Sequence, residues 1–160
     1  IFSALNLSCG FQPMYGNKKG GEVLKQLAAV DVAPLRGLLG VEMYNRLLEN
    51  LRPDGKAYAP SYQLIVEIAT NRAALITEAD SQVRRFKIIV IANYRLVEIG
   101  SDTVLDTGTA RAVASYNVVE TSNYASSIAE EEAQLRGVRE ISQQIVAGLS
   151  MFFKRLSSEL

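Results

Sequence analysis

The only thiol in this 160-residue chain is Cys9, and there is no histidine at all. Without imidazole, Ser-His-Asp and Cys-His relays are unavailable, and so are histidine-bound zinc sites. A lone cysteine excludes an internal disulfide. No G-x-S-x-G elbow offers a serine nucleophile, so a small hydrolase would need a Ser–Lys pair buried in a cleft. The expectation is no catalytic residue, no cofactor and no metal.

What remains for Cys9 is acylation. Before it stands I-F-S-A-L-N-L-S, an apolar run with small residues. That resembles the end of a bacterial lipoprotein signal peptide, where the next cysteine receives a diacylglyceryl group. Leu7 and Ser8 fit the pattern; Asn6 departs from it. The chain starts at Ile1 rather than Met, so residues 1–8 are read as a signal-peptide remnant. Residues 9–25 are read as the lipidated cysteine and a flexible tether, because Gly and Pro punctuate them without a period of 2 or 3.6. Gly10 is not the aspartate that marks inner-membrane retention. One acyl chain holds marginally, and two or more, such as palmitate added to the diacylglyceryl group, hold stably. The alternative is that Cys9 is an ordinary small residue of a frayed terminus.

The second chemistry open to the chain is anion recognition. Lys plus Arg equals Asp plus Glu at 17 each, which argues against a nucleic-acid partner and leaves only local clusters. The densest is Arg84, Arg85 and Lys87, with Arg95 on the same expected strand and Arg72 on its neighbour. Residues 85, 87 and 95 share parity and should point to one side, with Arg84 pointing away. Arg72, Arg85, Lys87 and Arg95 are candidates for phosphates or carboxylates of a lipid headgroup, where guanidinium forks give charge-assisted bonds. The plainer reading is a solvated sheet face whose charges discourage edge pairing. Ile89, Ile91 and Val97 interrupt that face, either as a protein-contact patch or as residues covered by a loop or by the tether. Glu130, Glu131 and Glu132 lie about 100° apart around a helix and cannot converge on one ion, so they read as capping. Tyr116 and Tyr124 read as packing at the approach to the last helix.

Periodicity assigns these residues to strands and helices. Gln26–Ala33 reads as a short strand stopped by Pro34. Leu35–Leu51 carries Leu39, Met43 and Leu47 at i, i+4, i+8, a helix face closed by Pro53-Asp54-Gly55. Three long alternating strands follow: Ser61–Leu75, Val83–Ile99 and Thr103–Val119, the last with Leu105, Ala110, Ala112, Ala114 and Tyr116 on one side. A closing helix begins at Ser127, or nearer Ser122, and lines Leu135, Val138, Ile145, Leu149, Phe152 and Leu156 on one face. The expected order is β-α-β-β-β-α. The fold class is α+β, a two-layer sandwich with two helices on one face of a four-stranded sheet. Strands of this length span about 50 Å, a surface suited to lying along a partner.

The stretch C-G-F-Q-P-M-Y-G (Cys9–Gly16), the strand L-A-A-V-D-V-A-P (Leu27–Pro34), A-S-Y-N-V-V-E-T-S-N-Y-A (Ala114–Ala125) and the acidic A-E-E-E-A-Q-L-R together resemble the LptE family, in its alphaproteobacterial branch. The resemblance covers Cys9 to Leu160, with residues 26–160 as one LptE-like domain. It implies two helices packed on a four-stranded sheet. It also implies a Gram-negative outer-membrane lipoprotein, anchored on the periplasmic side, that plugs an LptD-like β-barrel, assists its assembly and helps deliver lipopolysaccharide to the surface. The partners so implied are that barrel, lipopolysaccharide, and the membrane through the N-terminal anchor. A periplasm-facing lipid carrier of another envelope transport system is the alternative.

Overall fold

The computed structural model describes residues 18–76, 83–119 and 122–159. Cys9, the signal-peptide remnant and residues 9–17 of the expected tether lie outside the described residues. The elements in chain order are α1 (Lys18–Ala28), β1 (Val30–Val32), α2 (Gly37–Leu51), β2 (Tyr62–Ile76), β3 (Val83–Glu98), β4 (Val104–Val119) and α3 (Asn123–Glu159). They form the expected α+β layers, with one helix more than anticipated and a four-stranded sheet ordered β1-β2-β3-β4.

The extra helix replaces part of the expected tether. Val23, Leu27 and Ala28 are buried, and their i, i+4, i+5 spacing makes one face of α1, which packs on α3. Tertiary packing of that face outweighs the poor helix propensity of Gly20 and Gly21. The strand expected over Gln26–Ala33 shrinks to three residues because Gln26, Leu27 and Ala28 belong to the helix. Pro34 then turns the chain into α2. That crossover is what lets β1 pair parallel with β2, Val30 opposite Tyr62 and Val32 opposite Leu64.

Strands β2, β3 and β4 form an antiparallel meander, within a residue or so of their expected bounds. Leu64, Val66, Ile88, Val90, Ala92, Leu96, Ala110, Ala112 and Tyr116 face the helices and are buried. Leu105 joins this side despite its odd number. The ladder slips between Leu96 and Val97, leaving Leu105 as the extra residue of a bulge, packed against the core.

Helix α3, at 37 residues, runs about 55 Å, the length of the 16-residue strands beneath it at about 3.3 Å per residue. Ala133, Val138, Ile141, Ile145, Leu149 and Phe153 form its buried stripe. Phe153, rather than Phe152, is the fully buried ring, since 145, 149 and 153 keep the i+4 row; it lies 5.1 Å from the ring of Tyr62. Close approach to the sheet depends on two glycines. A Cβ at Gly137 would lie 2.6 Å from Cγ2 of Val90, and one at Gly148 2.6 Å from the Tyr94 hydroxyl.

Ser127 and Glu130 have the spacing of a capping box, but α3 starts earlier, at Asn123. Ser122 Oγ accepts the Ala125 N–H at 3.2 Å, a normal N-cap bond. Ser127 donates instead to the Tyr124 carbonyl, which frees Glu130 to turn toward the sheet. No helix among the described residues is long and apolar enough to cross a membrane.

Candidate functional site

All three helices lie on one side of the sheet, so among the described residues nothing covers the other side of β2, β3 and β4. Alternation along β3 places Arg85, Lys87, Ile89, Ile91, Asn93, Arg95 and Val97 there, opposite the buried Ile88, Val90 and Leu96. The parity argument for Arg85, Lys87 and Arg95 therefore matches their placement. The side chain of Arg84 is outside the described residues.

The cations do not form one cluster. Lys87 and Arg95 are eight residues apart on one strand, about 26 Å, so they cannot grip the same phosphate. Arg85 and Lys87 make one basic end, and Arg95 the other. Between them Ile89 and Ile91, both half-buried, stand beside Ala69 on β2 and the 46% exposed Val113 on β4. Val97 lies apart from these isoleucines, at the Arg95 end, across from Gln63 and Val104. The face also holds Arg111, the register neighbour of Ile91, which alternation with the buried Ala110 and Ala112 puts on this side. Arg85, Lys87, Arg95 and Arg111 have no ion-pair partner among the described residues. Four unpaired cations around an apolar centre can hold an anionic amphiphile or an acidic wall, and pairing at the two ends would be salt-sensitive.

Arg72 does not belong to this set. It pairs with Ile88 in register and so points to the helix-covered side. Its guanidinium lies 4.1 Å from the centre of the Phe86 ring and 3.5 Å from the Glu130 carboxylate. Tyr116 donates its hydroxyl to the same carboxylate at 2.6 Å, and Phe86 stacks on Tyr116 at 5.9 Å. Burial, then the bond to Glu130, pushes the Tyr116 phenol up to about 12. Four side chains from β2, β3, β4 and α3 thus form a clamp joining the first turns of α3 to the long strands. Its cation and its carboxylate satisfy each other, so the group is a structural junction. Glu130, expected as a cap, and Arg72, expected as a ligand residue, pair with one another in the fold.

Beside the clamp, between the start of α2 and the start of α3, an open groove of ≈ 710 Å³ runs over β2, lined by Leu35, Leu39, Val66, Ile68 and Thr70 among others. The core beneath is filled, with Met43, Leu47, Leu64 and Leu149 at 0% exposure.

A family model for lipopolysaccharide assembly, LptE, matches residues 24–149. An uncharacterized protein of Rickettsia prowazekii is 28% identical over 155 residues, 97% of this chain and 95% of that protein. Among solved structures, a candidate lipoprotein from Caulobacter crescentus superposes with a TM-score of 0.62 at 18% identity, covering 83% of this chain and 96% of that one. A minor lipoprotein from Acinetobacter baumannii gives 0.58 at 16% identity, covering 76% and 88%. These two likenesses show a shared fold.

Proposed function

This chain belongs to the LptE family of lipopolysaccharide-assembly proteins, and on that premise we propose that it is an outer-membrane lipoprotein that plugs an LptD-type β-barrel. It is held on the periplasmic side by lipid on Cys9, assists assembly of the barrel and helps pass lipopolysaccharide to the cell surface. The observation that carries this reading is the uncovered sheet face. A long surface with Ile89 and Ile91 at its centre, and with Arg85, Lys87, Arg95 and Arg111 that have no ion-pair partner among the described residues, suits the inner wall of a barrel, with Val97 extending the contact at one end. The cations that this wall leaves free meet lipid phosphates. The filled core supports a plug over a carrier that swallows acyl chains. No step calls for a catalytic group.

The test is affinity capture of the full-length tagged chain from its native outer membrane, with mass spectrometry of what co-elutes. A large β-barrel protein in stoichiometric amount, lost on Cys9→Ala or on deletion of the folded domain, is the expected result. Recovery of lipid with no barrel protein would overturn the plug and favour the carrier.

A further inference from the structure

The two outer edges of the sheet are finished differently, and the direction of the main-chain groups shows how. The Ala33 N–H donates to the Leu64 carbonyl at 2.9 Å, and the Tyr62 N–H to the Ala29 carbonyl at 3.3 Å. Even-numbered residues of β2 therefore direct their N–H and C=O groups outward, and odd-numbered ones bond to β3. Strand β1 stops at Val32. Beyond it, the outward groups of Val66, Ile68, Thr70 and Arg72 meet no main-chain partner among the described residues. On β4 the outward residues are odd-numbered, and side chains of α3 bond two of them. Gln144 accepts the Arg111 N–H and donates to the Arg111 carbonyl, both at 3.2 Å. Arg136 donates to the Ser115 carbonyl at 3.3 Å. The β4 edge is thus guarded at Arg111 and Ser115, and the β2 edge beyond β1 has no such bond among the described residues.

We propose that the β2 edge from Val66 to Arg72 is a strand-addition site that takes an extended segment of a partner protein as a fifth strand. The occupant must be polypeptide, because only a main chain presents donors and acceptors in the alternating row that this edge lacks. It continues the row that β1 begins on the same edge. Seven residues, about 23 Å long, would reach from the end of β1 to Arg72. Alternate side chains of the added strand would enter the neighbouring groove against Leu35, Leu39 and Ile68, which selects apolar residues at every second position. A second copy of this chain is the poorer occupant: two-fold pairing would set two such grooves face to face and fill neither. The site is on a different surface from the open sheet face and does not depend on the barrel reading.

Thr70 supplies the test, since it is exposed and its N–H points outward. Thr70→Pro removes a donor the added strand needs while sparing every bond to β3; Thr70→Ala keeps the donor. The probe is a displayed library of random peptides of about twelve residues, enough to cover the edge, panned against the full chain. Recovered peptides should alternate apolar and polar residues. As synthetic peptides they should slow hydrogen exchange at the amides of Val66, Ile68 and Thr70, and bind Thr70→Pro about tenfold more weakly, a loss of about 1.4 kcal/mol, while Thr70→Ala, which trims the groove lining but keeps the donor, should bind within about twofold. If Thr70→Pro does not fold, exchange at those amides in the wild-type chain decides. The proposal is overturned if no peptide is recovered, if those bound leave the three amides unprotected or bind Thr70→Pro equally well, or if a concentration-dependent dimer protects the same amides in place of the peptide.

Discussion

Truncating Glu130 to alanine removes the acceptor on which the clamp converges. A hydrogen bond to a charged group contributes about 1.5–3 kcal/mol, and the Tyr116 bond to this carboxylate is short, at 2.6 Å. The ion pair adds little, on the order of 0.2–1 kcal/mol, because the side chains of Arg72 and Glu130 are 46% and 28% exposed. Arg72 keeps its stacking on Phe86. Glu130→Ala should therefore cost about 2–3 kcal/mol, and Glu130→Gln, which retains an acceptor, about 1 kcal/mol. The assay is a urea-unfolding double-mutant cycle with Tyr116→Phe, in which the pair should couple by about 1–2 kcal/mol. The same contact shows in titration. The folded chain holds the Tyr116 proton at pH values where the unfolded chain has lost it. The stability this supplies is full below the ordinary tyrosine value of 10.0 and is lost as pH rises through about 12. Glu130→Gln should lower the Tyr116 value without returning it to the ordinary one, because burial, the larger cause, persists; carbon-13 tyrosine NMR reads this. Single-mutant costs that add to within about 0.3 kcal/mol, with an unmoved Tyr116 titration, would refute the clamp.

The division of the basic residues predicts a division of effects. Arg85→Gln, Lys87→Gln and Arg95→Gln together should weaken lipopolysaccharide binding roughly tenfold or more, with a shallower salt dependence, at about 0.5–1 kcal/mol per exposed contact. Arg72→Gln should leave that affinity within about twofold while lowering the urea midpoint; equal losses of affinity would put Arg72 back among the ligand residues. The glycines divide in the same way. Gly21→Ala, with nothing within 4 Å of the new Cβ, should stabilise the chain by about 0.5–1 kcal/mol through helix propensity. Gly137→Ala meets the fully buried, β-branched Val90 at 2.6 Å and should destabilise by about 1–2 kcal/mol despite the same propensity gain. Thermal melting of the two variants checks the signs.

The three long strands were legible in the sequence because alternation over some 15 residues has no helical counterpart. Helix α1 was not, because its buried face is only Val23, Leu27 and Ala28 beside two glycines, and it gains meaning from α3, more than a hundred residues away. Leu105 lies on the core side with Ala110 and Ala112 as expected, although its odd number breaks the count by twos; the bulge there is what permits it. For the candidate site, the parity of Arg85, Lys87 and Arg95 settled their side. The same signal applied to Arg72, which shares its parity with Leu64, Val66 and Ile68, would have placed it on the helix side. Its partner was beyond reach, because Glu130 comes to it only when α3 starts at Asn123 and folds back along the hairpins. Spacing on a strand also carries distance. The separation of Lys87 from Arg95 follows from 3.3 Å per residue, and it turns one apparent cluster into two basic ends.

Site-specific photocrosslinking in native outer membranes reads which surface meets the barrel, by replacing one residue at a time with a photoreactive amino acid in the full-length chain. Ile91 and Val113 report from the uncovered sheet face, and Met151, which is 59% exposed, reports from the outer side of α3. Crosslinks from Ile91 and Val113 to a large β-barrel protein, stronger than those from Met151, are the predicted result. Crosslinks to such a protein from Met151 alone, with Ile91 and Val113 meeting none, would contradict the account.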